Sequence, residues 1–289
     1  MRLITDDRIN ATCGHQGKRR KILRLYIENL TFPDMKKPGL LILILIGCFG
    51  FLAAQPTLKQ TINSNWEFHK GDVPGLPANT NGSIKWETIS LPHSWNTVDV
   101  NQDTGYYRGI GWYKKTIYAP ASWRKKSIYL YFEGANQVAE VYINGKLAGK
   151  HIGGYTAFSF DIGKLLQYNS DGLTANQILV KLDNRANENI PPLDADFTFF
   201  GGIYRDVYLI SADPVHFNVD VNAASGVRVK APAVSGDEAD VAVESSITNT
   251  SAAKLKVVVS SSIEDSQGNL IKEVATNATL SPGNTTLVI

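Results

Sequence analysis

Short runs rich in Val, Ile, Tyr, Phe and Trp, each interrupted by Gly, Pro, Asn or Asp before a long helix could form, confine this 289-residue chain to antiparallel sheet architectures. Residues 113–118, 127–133, 139–143, 157–161, 177–182 and 203–210 read as strands. The alternation is plainest in AEVYINGKLAG, where Val141 and Ile143 fall on one face and Asn144-Gly145 follows. Asn-Gly is the strongest two-residue hairpin signal, and it predicts a tight turn of type I′ or II′. Only residues 162–167 suggest a helical turn, capped by Asp161. The expected fold is all-β, beginning with a jelly-roll β-sandwich over residues 55–212.

Near residue 213 the texture changes. Upstream the chain is dense in aromatics and Gly; from His216 onward its one aromatic is Phe217, and Ala, Val, Ser and Thr dominate. The shift predicts a domain boundary with Asp213-Pro214 as the joint. Downstream, ADVAVESSITN and KLKVVVSSSIED alternate clearly, with Ser266-Gln267-Gly268-Asn269 and ATLSPG as turns. Residues 213–289 therefore read as an immunoglobulin-like β-sandwich, truncated because such a domain normally takes ~100 residues.

The N-terminal region reads differently. Met35, Lys36 and Lys37 precede LLILILIGCFGFLAA, a positive segment followed by an apolar one too short for the ~20 residues of a membrane span. This predicts a signal peptide over residues 35–54, with Gln55 first in a mature chain exported to the periplasm or outside the cell. The alternative is a lipoprotein signal: Leu45-Ile46-Gly47-Cys48 resembles a bacterial lipobox and would leave a lipid anchor on Cys48 at the cell surface. Residues 1–34 precede this second start methionine and read as a non-native leader from an over-extended reading frame. They are expected to be disordered, or helical around residues 18–30.

Setting residues 1–37 aside leaves 20 basic and 23 acidic residues, a net charge of −3. No Lys/Arg stripe remains that could follow phosphates, so a nucleic-acid partner is not expected. Cys13 and Cys48 are the only cysteines, and both precede the expected cleavage point, which excludes disulfides and thiolate metal sites from the mature part.

Self-sufficient catalytic motifs are absent: there is no HExxH, GxSxG, P-loop or GxGxxG, and His15, His69, His93, His151 and His216 lie far apart. One stretch does suit a ligand. In PPLDADFTFFGGIYRDVYLI, residues 191–210, Asp194 and Asp196 could accept hydrogen bonds from hydroxyls, while Phe197, Phe199 and Phe200 offer apolar faces to the C–H side of a pyranose ring. The same residues also suit a turn followed by core.

Six segments in order, NSNWEFHKG, ISLPHSWN, YYRGIGWYKK, VAEVYINGKLAGKHIGGYTAFSFDI, ILVKLDN and the stretch ending GGIYRDVYLI, together resemble the N-terminal sugar-binding domain of glycoside hydrolase family 2. This is the family of β-galactosidases, β-glucuronidases and β-mannosidases. The resemblance implies a galactose-binding-like jelly roll followed by an immunoglobulin-like domain, and a β-glycoside carbohydrate as substrate. It places a substrate-binding role on Asp196, which matches the family position whose carboxylate reaches into the catalytic pocket. No cofactor is required, although in full-length members a sodium ion near the Asp196 position is implied, and the full-length enzyme is expected to be homo-oligomeric. Family members hydrolyse with retention, using two glutamates about 5 Å apart. These stand on a barrel of ~250 residues. No counterpart of either is expected here, so no residue of this chain is expected to be catalytic. The reading is the non-catalytic N-terminal portion of an exported glycosidase; the alternative is a stand-alone exported carbohydrate-binding module.

Overall fold

The computed structural model describes residues 21–27, 58–75, 84–99, 105–170, 172–219, 222–236 and 238–289. The signal peptide expected over residues 35–54, and Cys48 within it, lie outside them. The chain divides into two compact units, one formed by Thr57–Pro214 with Val219–Gly226, the other by Val215–Asn218 and Val227–Ile289 together with Met1–Pro56.

After β1 (Lys21–Ile27), the first unit contains β2 (Leu58–Thr61), β3 (Trp66–Lys70), β4 (Glu87–Ile89), β5 (Ile110–Pro120), β6 (Ser127–Phe132), β7 (Val138–Ile143), β8 (Lys146–Ile152), β9 (Phe158–Asp161), β10 (Leu173–Asp183) and β11 (Val207–Ala212). They form a six-stranded sheet in the order β4-β3-β5-β10-β7-β8 and a four-stranded sheet in the order β2-β11-β6-β9, with antiparallel pairing throughout. This is the β-sandwich expected from the strand pattern.

Period-two alternation explains how each sheet acquires an inner face. Along β7, Ala139, Val141 and Ile143 are buried while Glu140 and Tyr142 are only partly so. They meet Phe132, Leu130 and Ile128 of β6, Phe158 of β9, and Trp66 and Tyr113 of the other half of the sheet in one core. β5 is buried on both faces near its start: Trp112 turns away from Tyr113 and packs with Ile110 and Leu179 under Trp86 and Tyr142. The Trp112 indole N–H reaches Asp72 at 3.2 Å, which satisfies its one polar atom. Asn144 and Gly145 join β7 to β8 with φ of 50° and 79°, both positive, as a type I′ turn requires. At residues 162–167 there is a single turn, in which the Asp161 carboxylate accepts the Gly163 amide at 2.9 Å.

The second unit contains β12 (Val215–Phe217), β13 (Val227–Val234), β14 (Ala239–Asn249), β15 (Leu255–Glu264), β16 (Leu270–Leu280) and β17 (Asn284–Val288). β14 pairs with β12, β13 and β17, and β15 pairs with β16 and β1. Its core is small, built from Val215, Ile247, Val257, Val259, Leu280 and Val288. Leu270, Ile271 and Val274 of β16 are exposed.

Two expectations are corrected. The leader is neither disordered nor helical at Lys21–Ile27, which forms β1 against Val257–Ile263 of β15. KILRLYI, in which Ile22, Tyr26 and Ile27 are β-branched or aromatic, favours a strand wherever a free sheet edge can supply hydrogen bonds. The strand expected over residues 203–210 begins only at Val207. Ile203 is tied elsewhere: its carbonyl accepts the His93 amide at 2.8 Å, and Gly202 before it has φ of 132°.

Candidate functional site

The segment between β10 and β11 holds the residues singled out for sugar binding, and its second half is fastened from within. Three buried asparagines do this. Asn184 Nδ2 donates to the Phe199 carbonyl at 3.1 Å while its Oδ1 accepts the Gly109 amide at 2.7 Å. Asn136 Nδ2 donates to the Phe200 carbonyl at 2.6 Å, and Asn96 Oδ1 accepts the Gly201 amide at 2.7 Å. A backbone with no sheet partner must satisfy its polar groups somehow, and here side-chain amides stand in for a neighbouring strand.

Glycines allow the approach this requires. A Cβ on Gly201 would lie 2.0 Å from the Trp95 ring, so Trp95 lies directly over the backbone. Trp95 is core. It contributes contact area alone, since its indole N–H has no partner among the described residues.

This anchoring sorts the candidate residues. Phe199 is buried, with its amide bonded to the Tyr106 hydroxyl at 3.2 Å, so it is a structural residue and no platform for a sugar. Phe197 and Phe200 are exposed, at 51% and 42%. Phe197 sits between Phe199, 5.4 Å away, and Tyr155, which meets it edge-on at 6.4 Å. Asp194 turns one carboxylate oxygen to the Ala195 amide at 2.9 Å, the hydrogen bond of a local turn. Asp196 is exposed and makes no hydrogen bond or ion pair with any described residue. It is thus a free acceptor beside an exposed aromatic ring.

His93 and His151 are packed into the fold. His93 Nδ1 lies 2.8 Å from the Tyr113 hydroxyl, and its ring packs on Phe68 at 4.7 Å. His151 stacks on Phe158 at 4.2 Å. Burial lowers the pKa of both; the charge of Glu87 opposes this for His93, and the backbone bond to Gly153 opposes it for His151. A histidine held neutral in the fold contributes stability that is complete above its unfolded pKa of about 6.5 and falls as pH drops towards the folded value. Stability is therefore expected to decline below about pH 6.5, and His93→Gln to flatten that decline, as measured by urea midpoints between pH 7.5 and 5.

Among the described residues no cluster of three or more His, Cys, Asp or Glu could hold a metal ion. At the loop where the resemblance implies a sodium ion, Asp196 offers a carboxylate without a partner among the described residues, and the Phe199 and Phe200 carbonyls each already accept one hydrogen bond, from Asn184 and Asn136. Elsewhere, Val138, Glu140, Lys150, Lys181, Asp183 and Arg185 line a shallow depression of about 290 Å³ on the outer face of the six-stranded sheet. Its charges are matched locally, Lys150 with Glu140 at 3.1 Å and Arg185 with Asp183, as on an ordinary solvated face.

Sequence reasoning missed Asn96, Asn136, Asn184, Tyr106, Arg108 and Tyr155. Locally an Asn is a turn former, and nothing in its neighbours says that it will be buried against a loop 15 to 105 residues away. The available signal was that Asn96, Tyr106, Arg108, Tyr155 and Asn184 fall inside four of the six family-like segments; Asn136 falls in none of them.

Comparison with known proteins bears on the same region. Residues 59–213 match the family described as "Glycosyl hydrolases family 2, sugar binding domain". A β-glucuronidase of Bacteroides fragilis is 37% identical over 202 residues, covering 68% of this chain and 27% of the relative. A β-galactosidase of Thermoanaerobacter pseudethanolicus is 36% identical over 151 residues, covering 49% of this chain and 20% of the relative. The crystal structure of a Bacteroides uniformis β-glucuronidase superposes with a TM-score of 0.74 at 37% identity, over 80% of this chain and 27% of that one. This chain thus spans about a quarter of the length of those two glucuronidases, and the portion it matches is N-terminal and non-catalytic. With its jelly roll, its anchored loop and its matched region in agreement, the chain belongs to glycoside hydrolase family 2.

Proposed function

We propose that this chain provides the sugar-binding wall of an exported family 2 β-glycosidase, with Asp196 accepting hydrogen bonds from hydroxyls of the terminal sugar and Phe197 lying along its apolar side. The observation that carries the reading is the state of Asp196: an exposed carboxylate without a partner among the described residues, on a loop whose far side is locked by Asn184, Asn136 and Asn96. Such a group is free for a ligand while its backbone is pre-organised, which is what a binding carboxylate requires.

The relatives' names point to β-glucuronides and β-galactosides as the substrates. In this reading the reacting glutamates are supplied outside the matched region, and export follows from the apolar segment behind Met35. The chain by itself is expected to hydrolyse no nitrophenyl β-glycoside. NMR titration with methyl β-D-galactoside and methyl β-D-glucuronide tests the site: Asp196→Ala should weaken binding about tenfold or more, as loss of a charge-assisted hydrogen bond would. Equal affinity of parent and variant would remove Asp196 from the site.

A further inference from the structure

Asp196 has nothing holding its side chain, so the direction in which it points depends on the backbone around it. The segment from Asp196 to Phe199 spans only about 10 Å when extended. The placement of Phe199 is therefore felt at Asp196.

Phe199 is held from several sides. Its amide donates to the Tyr106 hydroxyl at 3.2 Å, and its carbonyl accepts from Asn184 Nδ2 at 3.1 Å. On the ring, the Arg108 guanidinium carbon lies 4.9 Å from the centroid. The same guanidinium donates from Nε to the Asn184 backbone carbonyl at 2.9 Å. Arg108, Asn184 and Phe199 thus close a cycle: Arg108 bonds the main chain of Asn184, Asn184 bonds the main chain of Phe199, and the Phe199 ring lies under Arg108.

We propose that Arg108 is a positioning residue for the sugar site, holding Phe199 in place and thereby aiming Asp196. This rests on the reading of Asp196 as the sugar contact. The chemistry is specific to arginine. A planar guanidinium can donate in its plane from Nε while its face covers an aromatic ring, whereas a lysine ammonium has no Nε donor set back along the stem and no flat face. Arg108 needs no contact with the sugar for this role, and its segment leads directly into β5, with the neighbouring Gly109 amide held by Asn184 Oδ1 at 2.7 Å.

Three variants of the full chain test it: Arg108→Met, which keeps the apolar stem, Arg108→Lys, which keeps the charge, and Asp196→Ala. Hydrogen exchange of the unliganded chain is read at residues 196–200 and, as the internal reference, in β10 and β11. Both Arg108 variants are expected to raise exchange at residues 196–200 about tenfold, with β10, β11 and the thermal midpoint nearly unchanged, because only a local opening is made easier. Affinity for methyl β-D-galactoside or methyl β-D-glucuronide should fall about three- to tenfold in both, since a loosened loop must be ordered on binding. Full retention of affinity by Arg108→Lys would overturn the role assigned to the Nε bond and the planar face. Unchanged exchange at residues 196–200 in Arg108→Met would overturn the proposal altogether, as would a loss confined to global stability, which marks a merely structural residue. Should the parent chain bind neither glycoside, the sugar reading of Asp196 fails, and the exchange measurement still decides whether Arg108 orders the loop.

Discussion

Gly202→Ala is expected to destabilise the first unit by about 4 kcal/mol, from overpacking and backbone strain acting together. Gly202 has φ of 132°, and a Cβ there would sit 2.3 Å from the His93 carbonyl oxygen. That oxygen belongs to backbone and has little room to retreat, because the His93 amide is bonded to the Ile203 carbonyl at 2.8 Å and Trp95 N to the Gly201 carbonyl at 3.2 Å. Relief would mean separating the 201–203 segment from the 93–95 segment, with loss of both bonds. All five tryptophans, Trp66, Trp86, Trp95, Trp112 and Trp123, lie in the first unit, so urea unfolding followed by tryptophan fluorescence reports on it selectively. A shift below about 1 kcal/mol would mean that the two segments separate at little cost.

Asn184→Ala should cost about 3 kcal/mol by a different route. No atoms collide. The change strips partners from the Gly109 amide and the Phe199 carbonyl, both at buried residues, and each orphaned group brings a desolvation cost of roughly 1–3 kcal/mol. Asn184→Asp provides the contrast. It keeps an acceptor for Gly109 but faces the Phe199 carbonyl with a second oxygen and buries a charge, so it should be no better than alanine at pH 7. The loop should also suffer more than the sandwich. Loss of protease resistance at residues 191–200 is expected at urea concentrations where tryptophan fluorescence still reports the folded state. If both signals change together, Asn184 supports the whole unit and not the loop in particular.

Parts of this were legible in the sequence for a definite reason. Strand alternation and the Asn144-Gly145 turn are properties of neighbouring residues, since side chains alternate faces and a type I′ turn demands two positive φ values. Val141 and Ile143 accordingly lie in the core. The misplaced strand start was of the opposite kind. Ile203 and Tyr204, a β-branched and an aromatic residue, look like the start of a strand, yet where Ile203 bonds is decided by His93, far away in the chain. The same holds for β1, whose strand state depends on the edge of β15.

The loop shows the division most clearly. From local chemistry Asp194, Asp196, Phe197, Phe199 and Phe200 were equivalent candidates, and the family resemblance selected Asp196. The fold then separated the phenylalanines, because Tyr106, Asn184 and Arg108 converge on Phe199 and leave Phe197 and Phe200 at the surface. By itself the sequence determined the all-β class and the sandwich of the first unit, and it singled out residues 191–210 as the candidate region, since each follows from periodicity, turn chemistry and ordered motifs. Only the tertiary structure decided which polar residues became the internal supports of that region. Their burial and their partners come from segments remote along the chain, and no short-range rule carries that information.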